Sequence, residues 1–228
     1  MDKRINNLKE ESAATIKAID DRRVKLDADG FPQEKYEALT AAQTDLEAKD
    51  KAQVKAVEVG DSKTVEEKEI IENTKTLIGR IGNAVKSGFT NDKKVQKLFK
   101  IDEKVPKALE AFRSHCDYLA GMCTEYKTTL LKNGLTEADI DSLSTASQRM
   151  YDANTAQQTA KKNQKAATAV RDEAAKVSKS VIEGIRNYIK AKYANDQEML
   201  IAFEPVSKSN GRNSNGGTEA PPSNPPVQ

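Results

Sequence analysis

The sequence aligns with itself, without a gap, when it is shifted by 104 residues. The clearest stretch places residues 78–92, IGRIGNAVKSGFTND, over residues 182–196, IEGIRNYIKAKYAND. The same shift places Gly30 on Gly134, each at the end of a predicted helix. A constant offset through turns as well as helices indicates an internal duplication, which limits the fold to two copies of one supersecondary unit.

The first helix of each copy is predicted from apolar residues that recur at alternating steps of three and four. In the second copy these residues are Leu109, Phe112, Cys116, Leu119, Cys123, Tyr126 and Leu130. The first copy has a weaker stripe at Ile5, Leu8, Ser12, Thr15, Ile19, Arg22 and Leu26. This heptad spacing places each set on one helix face, as in coiled coils. Gly30 and Gly134 follow these helices, and glycine suits the left-handed residue that ends a helix.

The boundary between the second and third helices of each copy is open. Gly60-Asp61-Ser62 favours a break in the first copy, which would give three helices of about 27 residues, a length that packs into a bundle. The second copy has Asn163-Gln164 at this point and no strong breaker. The alternative is one helix of about 57 residues, because Ile140 and Ile182 lie six whole heptads apart. We favour the division.

The predicted fold is therefore all-α, a tandem duplication of a three-helix unit with coiled-coil-like packing. Charged residues make up 32% of the chain and aromatic residues 5%, which favours helices over sandwich, barrel or βαβ architectures. The predicted regions are unit one at 1–92, a packed connector at 93–105, unit two at 106–206 and a disordered Gly/Pro/Asn/Ser-rich tail at 207–228. Residues predicted to face inward at matching positions are Leu8 and Phe112, Leu39 and Leu143, and Ile81 and Ile185.

Charge and hydropathy argue against two classes of partner. The net charge of +2 gives no electrostatic reason to expect a nucleic-acid-binding protein. The longest apolar run, Met199–Phe203, is far shorter than the roughly 20 residues that span a bilayer. Because the N-terminal residues lack the apolar stretch of a signal peptide, we expect a cytoplasmic protein, with export by another route left open.

The two cysteines, Cys116 and Cys123, lie two helical turns apart, about 10 Å. That separation is too long for a disulfide between them. We therefore expect two buried, unbridged thiols in a reducing compartment.

No catalytic, cofactor or metal site is predicted. His115 is the only histidine, so beside Cys116 it is interpreted as a helix-surface or helix-interface residue and not as part of a nucleophilic site. Gly79 and Gly82 follow no strand and lie in an apolar-periodic helix, unlike a phosphate-binding loop. Asp27-Ala28-Asp29-Gly30 lacks the remaining ligands of a calcium loop and is interpreted as a helix-ending turn.

Three hypotheses for function remain. The favoured one is a non-catalytic helical scaffold or protein-interaction protein, which includes self-association through the Ala-rich stretches 41–56 and 153–169. The second is a carrier of a small apolar ligand or lipid, with a cavity between the helical units lined by Tyr118, Met122, Tyr126 and Met150. The third is an enzyme with a site around His115 and Cys116.

One basic cluster has two interpretations. Lys161, Lys162 and Lys165 lie near the expected tip between the second and third helices of the second copy. Without interleaved aromatic residues they are interpreted as a solvated surface, and a patch for an anionic partner is the alternative.

Overall fold

The computed structural model describes residues 2–101 and 103–205. The tail predicted to be disordered, residues 207–228, lies outside them. Within the described residues all regular structure is α-helical and there is no strand, so the all-α prediction is confirmed. The helices are α1 (Lys3–Asp21), α2 (Arg23–Ala28), α3 (Gln33–Gly88), α4 (Lys93–Leu98), α5 (Leu109–Glu125), α6 (Lys127–Lys132), α7 (Glu137–Lys192) and α8 (Gln197–Ala202).

The predicted division of the second and third helices is wrong. α3 and α7 are each one continuous helix of 56 residues. Gly60 lies inside α3 and is buried, and a Cβ placed on it would be 3.3 Å from Gln164 Oε1. One helical glycine costs only about 1 kcal/mol relative to alanine, which is too little to interrupt a helix that packs along its length. Gln164 Oε1 is the end of a flexible side chain, so the glycine is accommodated within the helix and does not end it.

The chain forms two compact units. The described residues of Met1–Thr40 and Lys179–Gln228 form unit A, and Ala41–Ser178 form unit B. Unit A holds α1, α2, α8, the start of α3 and the end of α7, whereas unit B holds α4, α5, α6 and the remainder of both long helices. This division follows spatial contact, whereas the ranges 1–92 and 106–206 describe a repeat along the sequence and stay predictions.

The helix boundaries recur at the offset seen in the sequence. α3 and α7, α2 and α6, and α4 and α8 each begin and end 104 residues apart. Gly30 and Gly134 both have positive φ, +76° and +97°, just after α2 and α6. This recurrence supports the inferred duplication, which stays an inference about the history of the chain.

The residues predicted to face inward are buried. Those in unit A are Leu8, Leu39 and Ile185, and those in unit B are Ile81, Phe112 and Leu143. The unit B core also contains Cys116, Leu119, Cys123, Leu130 and Met150. The heptad stripe predicted for α5 therefore faces the core, and burial of each such Leu or Ile contributes about 1.5–3 kcal/mol.

Unit B also buries charged and polar residues between its two long helices. Asp50 in α3 and Arg171 in α7 are 5% and 6% exposed, with 4.0 Å between Arg171 Nη1 and Asp50 Oδ1. Arg171 Nη2 also lies 2.9 Å from Asp172 Oδ1. Further along, Gln157 Nε2 donates to Thr64 Oγ1 at 3.4 Å. Polar pairing thus replaces large apolar side chains in this stretch of the core.

Candidate functional site

His115 and Cys116 lie side by side on α5 but in different environments. Cys116 is fully buried, and burial, followed by the charge of Asp117, raises the pKa of its thiol to about 12. Burial likewise raises the pKa of the Cys123 thiol to about 11. Both cysteines are unbridged, which confirms the prediction of buried free thiols. A thiol with such a pKa remains protonated at neutral pH and is a poor nucleophile.

The glycine motifs considered in the sequence lie within a helix or at a helix end. Gly79 and Gly82 lie inside α3, as predicted. Gly30 ends α2, its amide donating to the Asp27 carbonyl at 3.1 Å, so the helix-ending turn is confirmed. No group of three or more His, Cys, Asp or Glu residues in the described part of the chain is placed to hold a metal ion.

The residues expected to line a carrier pocket do not share one environment. Met150 is fully buried in the unit B core. Tyr126 packs edge-on against Phe89, with 5.4 Å between ring centroids. Tyr118 is 38% exposed, and its hydroxyl donates to the Leu98 carbonyl at 2.7 Å. These side chains have packing and hydrogen-bonding roles of their own.

A different cavity lies in unit B, where the connector after α4 passes over α3 and α5. We call it the connector cavity; its volume is about 290 Å³. Its apolar surface includes Ile81, Phe99 and Leu119, all of them buried. Its polar surface consists of Lys75, Asn83, Lys86, Lys100, Glu103 and His115. An apolar wall with a few polar groups is the usual composition of a small-molecule site, and this volume lies just below the usual range of about 300–1,000 Å³.

Two features distinguish the edge of this cavity. Lys100 has φ +51°, a left-handed conformation that is unfavourable for a residue with a Cβ. Its Nζ lies 4.7 Å from the centroid of the Tyr118 ring, a cation–π contact. His115 is half-buried, and burial followed by the charge of Lys100 lowers its pKa. A lowered pKa favours the neutral imidazole, which can donate and accept a hydrogen bond.

The sequence pattern alone does not single out Lys75, Lys86 and Lys100, which line the connector cavity. They lie on α3 and just after α4, apart from one another in the sequence and without a motif. The available signal was the repeat itself, in which Gly82 aligns with Arg186 and His115 with Glu11. At these two aligned positions unit A has the charged residues Arg186 and Glu11, whereas unit B has Gly82 and His115.

The lysine cluster lies in the middle of α7 rather than at a tip, because no tip exists in the continuous helix. Lys161, Lys162 and Lys165 are exposed and border an open groove of about 600 Å³, and all of its lining residues belong to α7. Gln158, Gln164, Thr168 and Ala169 complete its lining. Between Ala153 and Arg171 the helix has no acidic residue, so this surface is basic.

An acidic surface lies elsewhere in unit B, on α3. Glu66, Glu69 and Glu72 are exposed and follow one another at steps of three. Val65, at 54% exposure, lies beside them. The ion pairs Lys63–Glu66 and Lys75–Glu72, at 2.6 and 2.7 Å, are solvent-exposed and therefore contribute little to stability.

The comparisons add no assignment. No protein-family model, curated protein or solved structure matches the chain. Among the described helices, none combines the length and the apolar character needed to cross a membrane.

Proposed function

We propose that the protein is a non-catalytic interaction protein that self-associates through the basic surface of α7. The observation that carries this proposal is the open groove beside Lys161, Lys162 and Lys165. A groove on an exposed helix, lined by long cationic side chains and without acids of its own, suits an acidic helical partner.

The chain itself supplies a matching partner surface. Glu66, Glu69 and Glu72 form an exposed row on α3 in the same unit, in which Glu66 and Glu72 make weak, solvent-exposed ion pairs with Lys63 and Lys75 that the contact would exchange. In a two-fold dimer the α7 lysines of one copy would meet the α3 acids of the other, and the same contact would form twice. Val170, which is 49% exposed, and Val65 lie beside the two charged rows and would add apolar contact.

The two buried thiols, Cys116 and Cys123, support placing this activity in a reducing compartment such as the cytoplasm. A protein or second-copy partner, rather than a nucleic acid, fits a net charge of +2.

Sedimentation velocity over a range of concentrations tests the proposal. The unmodified chain is expected to shift from monomer to dimer as concentration rises, and rising salt is expected to weaken the dimer. The variant Lys161→Glu/Lys162→Glu/Lys165→Glu is expected to remain monomeric. A matched control, Lys94→Glu/Lys97→Glu/Lys192→Glu, changes the net charge equally at exposed positions outside the groove and is expected to dimerise normally.

A charge-exchange experiment identifies the opposing surface. The lysine-groove variant is mixed with Glu66→Lys/Glu69→Lys/Glu72→Lys, and a mixed dimer is expected because the reversed charges again attract. An unmodified chain that stays monomeric at every concentration would overturn the proposal. Dimerisation that responds equally to the groove variant and the control would exclude this surface.

A further inference from the structure

The connector cavity of unit B corresponds, at the 104-residue offset, to a place in unit A that is filled by the protein itself. Gly82 aligns with Arg186, His115 with Glu11, and Phe99 with Phe203. In unit A, Arg186 Nε donates to the Phe203 carbonyl at 2.9 Å. Its Nη1 lies 2.5 Å from Glu11 Oε1, and the two side chains are 13% and 26% exposed. A partly buried ion pair therefore occupies this position in unit A.

In unit B neither member of that ion pair is present. The position of Arg186 is taken by Gly82, and the position of Glu11 by His115. A Cβ added to Gly82 would meet Ile101 Cγ2 at 3.7 Å, an ordinary van der Waals contact. Neither crowding nor a positive φ requires glycine at this position. The space above Gly82 therefore exists because glycine has no side chain, and not because a neighbouring backbone lies too close to admit one.

The charged residues at this position also differ between unit A and unit B. Glu11 and Glu204 of unit A correspond to His115 and Lys100 in unit B. Two acidic positions have therefore become a neutral imidazole and an ammonium group. Lys86, which has a lysine counterpart at Lys190, is retained at the cavity. Glu103 is the acidic side chain among the described residues that line it.

We propose that the connector cavity binds a small organic anion, a carboxylate on a compact apolar body. The carboxylate lies in the space that the Arg186 side chain fills in unit A and pairs with the ammonium groups of Lys86 and Lys100, with His115 as hydrogen-bond donor. The apolar body lies against Ile81, Phe99 and Leu119. An ionic hydrogen-bonded end and an apolar end together give orientation as well as affinity.

Benzoate is the test ligand, and benzamide is its neutral counterpart of nearly the same shape. In ¹H–¹⁵N spectra of the full chain, benzoate is expected to shift the Gly79, Gly82 and His115 amide signals saturably. Benzamide is expected to bind at least tenfold more weakly, and inorganic phosphate, which lacks an apolar body, is expected to shift none of the three. Lys100→Glu is expected to weaken benzoate binding at least tenfold.

The decisive variant copies unit A into unit B. Gly82→Arg/His115→Glu restores both members of the ion pair and is expected to abolish benzoate binding while retaining helicity and cooperative unfolding. Gly82→Leu, which fills the space without adding charge, gives the same expected loss if the double variant fails to fold. Benzoate binding that is unchanged in the filled variants, equal binding of benzamide, or no saturable shift with benzoate would each overturn the proposal. Equal binding of phosphate would also overturn it, because an apolar body would then have no role.

Discussion

The hydroxyl of Tyr193 donates to Asp29 Oδ2 at 2.9 Å and thereby ties the residue that follows α7 to the residue that caps α2. Both residues belong to unit A. The phenol is 6% exposed, and burial, followed by this hydrogen bond, raises its pKa to about 12. The equivalent positions in unit B are Phe89 and Asn133, so this hydrogen bond has no counterpart there.

Tyr193→Phe should lower the free energy of unfolding by about 1 kcal/mol, the usual net value of such a hydrogen bond. Urea denaturation at pH 7 measures this loss. Tyr151→Phe is the control, because Tyr151 is 48% exposed and should show almost no change. A loss of equal size in both variants would contradict a specific role for the Asp29 contact.

Stability at high pH should also depend on Tyr193. Because its folded pKa of about 12 lies above the reference value of 10.0, the folded state holds this proton more tightly than the unfolded state. The stability it contributes is complete below pH 10 and is lost as pH rises from 10 toward 12. The midpoint temperature of thermal unfolding should therefore fall less steeply with pH over this range in Tyr193→Phe than in the unmodified chain.

Gly60→Ala and Gly30→Ala should have opposite effects. Gly60 lies inside α3, and its new methyl group would meet only the end of the flexible Gln164 side chain. Alanine should therefore stabilise the protein by up to about 1 kcal/mol. At Gly30 the backbone φ is +76°, so alanine should destabilise it by about 1 kcal/mol. Chemical denaturation of both variants checks these signs, and destabilisation by Gly60→Ala would show that the glycine is needed at the interface.

Ile185→Asp should cost several kcal/mol, whereas Lys161→Asp should stay within about 0.5 kcal/mol. Ile185 is 1% exposed in the core of unit A, where a carboxylate would lose its hydration without gaining a partner. Lys161 is exposed on α7. Denaturation midpoints at neutral pH compare the two, and equal midpoints would show that Ile185 does not face a tightly packed core.

Arg171→Met should destabilise unit B by about 3 kcal/mol, because the buried Asp50 would lose the guanidinium that lies 4.0 Å from it. Arg171→Met/Asp50→Leu should recover most of this loss, since both charges are then absent. A double-mutant cycle that also includes Asp50→Leu measures the coupling between the two side chains. Additive effects of the two single substitutions would mean that the 4.0 Å approach carries no coupling energy.

The sequence predicted most of what depends on helix periodicity. Heptad spacing identified the buried face of α5, including Cys116 and Cys123, and Gly30 and Gly134 marked the helix ends. The predicted division at Gly60 is wrong because a single local breaker does not interrupt a helix whose apolar stripe continues on both sides of it. A single glycine is a small penalty once tertiary packing holds the flanking turns.

The connector cavity could not be predicted in the same way. It depends on the absence of a side chain at Gly82 and on the left-handed backbone of Lys100, and neither has a periodic signature. The sequence showed that Gly82 and Arg186 differ, but not that Arg186 fills a partly buried position. The hydrogen bond from Arg186 to the Phe203 carbonyl shows that a side chain fills this position in unit A, and glycine provides no such side chain in unit B.

Arg186 and Gly82 are equivalent positions of the repeat, and a side chain fills only the first. The sequence around Gly82 can therefore vary while the ion pair at Arg186 is kept. Substitutions at Gly82, Lys100 and His115 leave both residues of the Arg186–Glu11 ion pair in place, because these two residues belong to unit A. One copy of the arrangement can thus keep its ion pair while the residues of the other copy change. Across related chains, sequence variation should therefore concentrate on the connector side and spare Arg186 and Glu11.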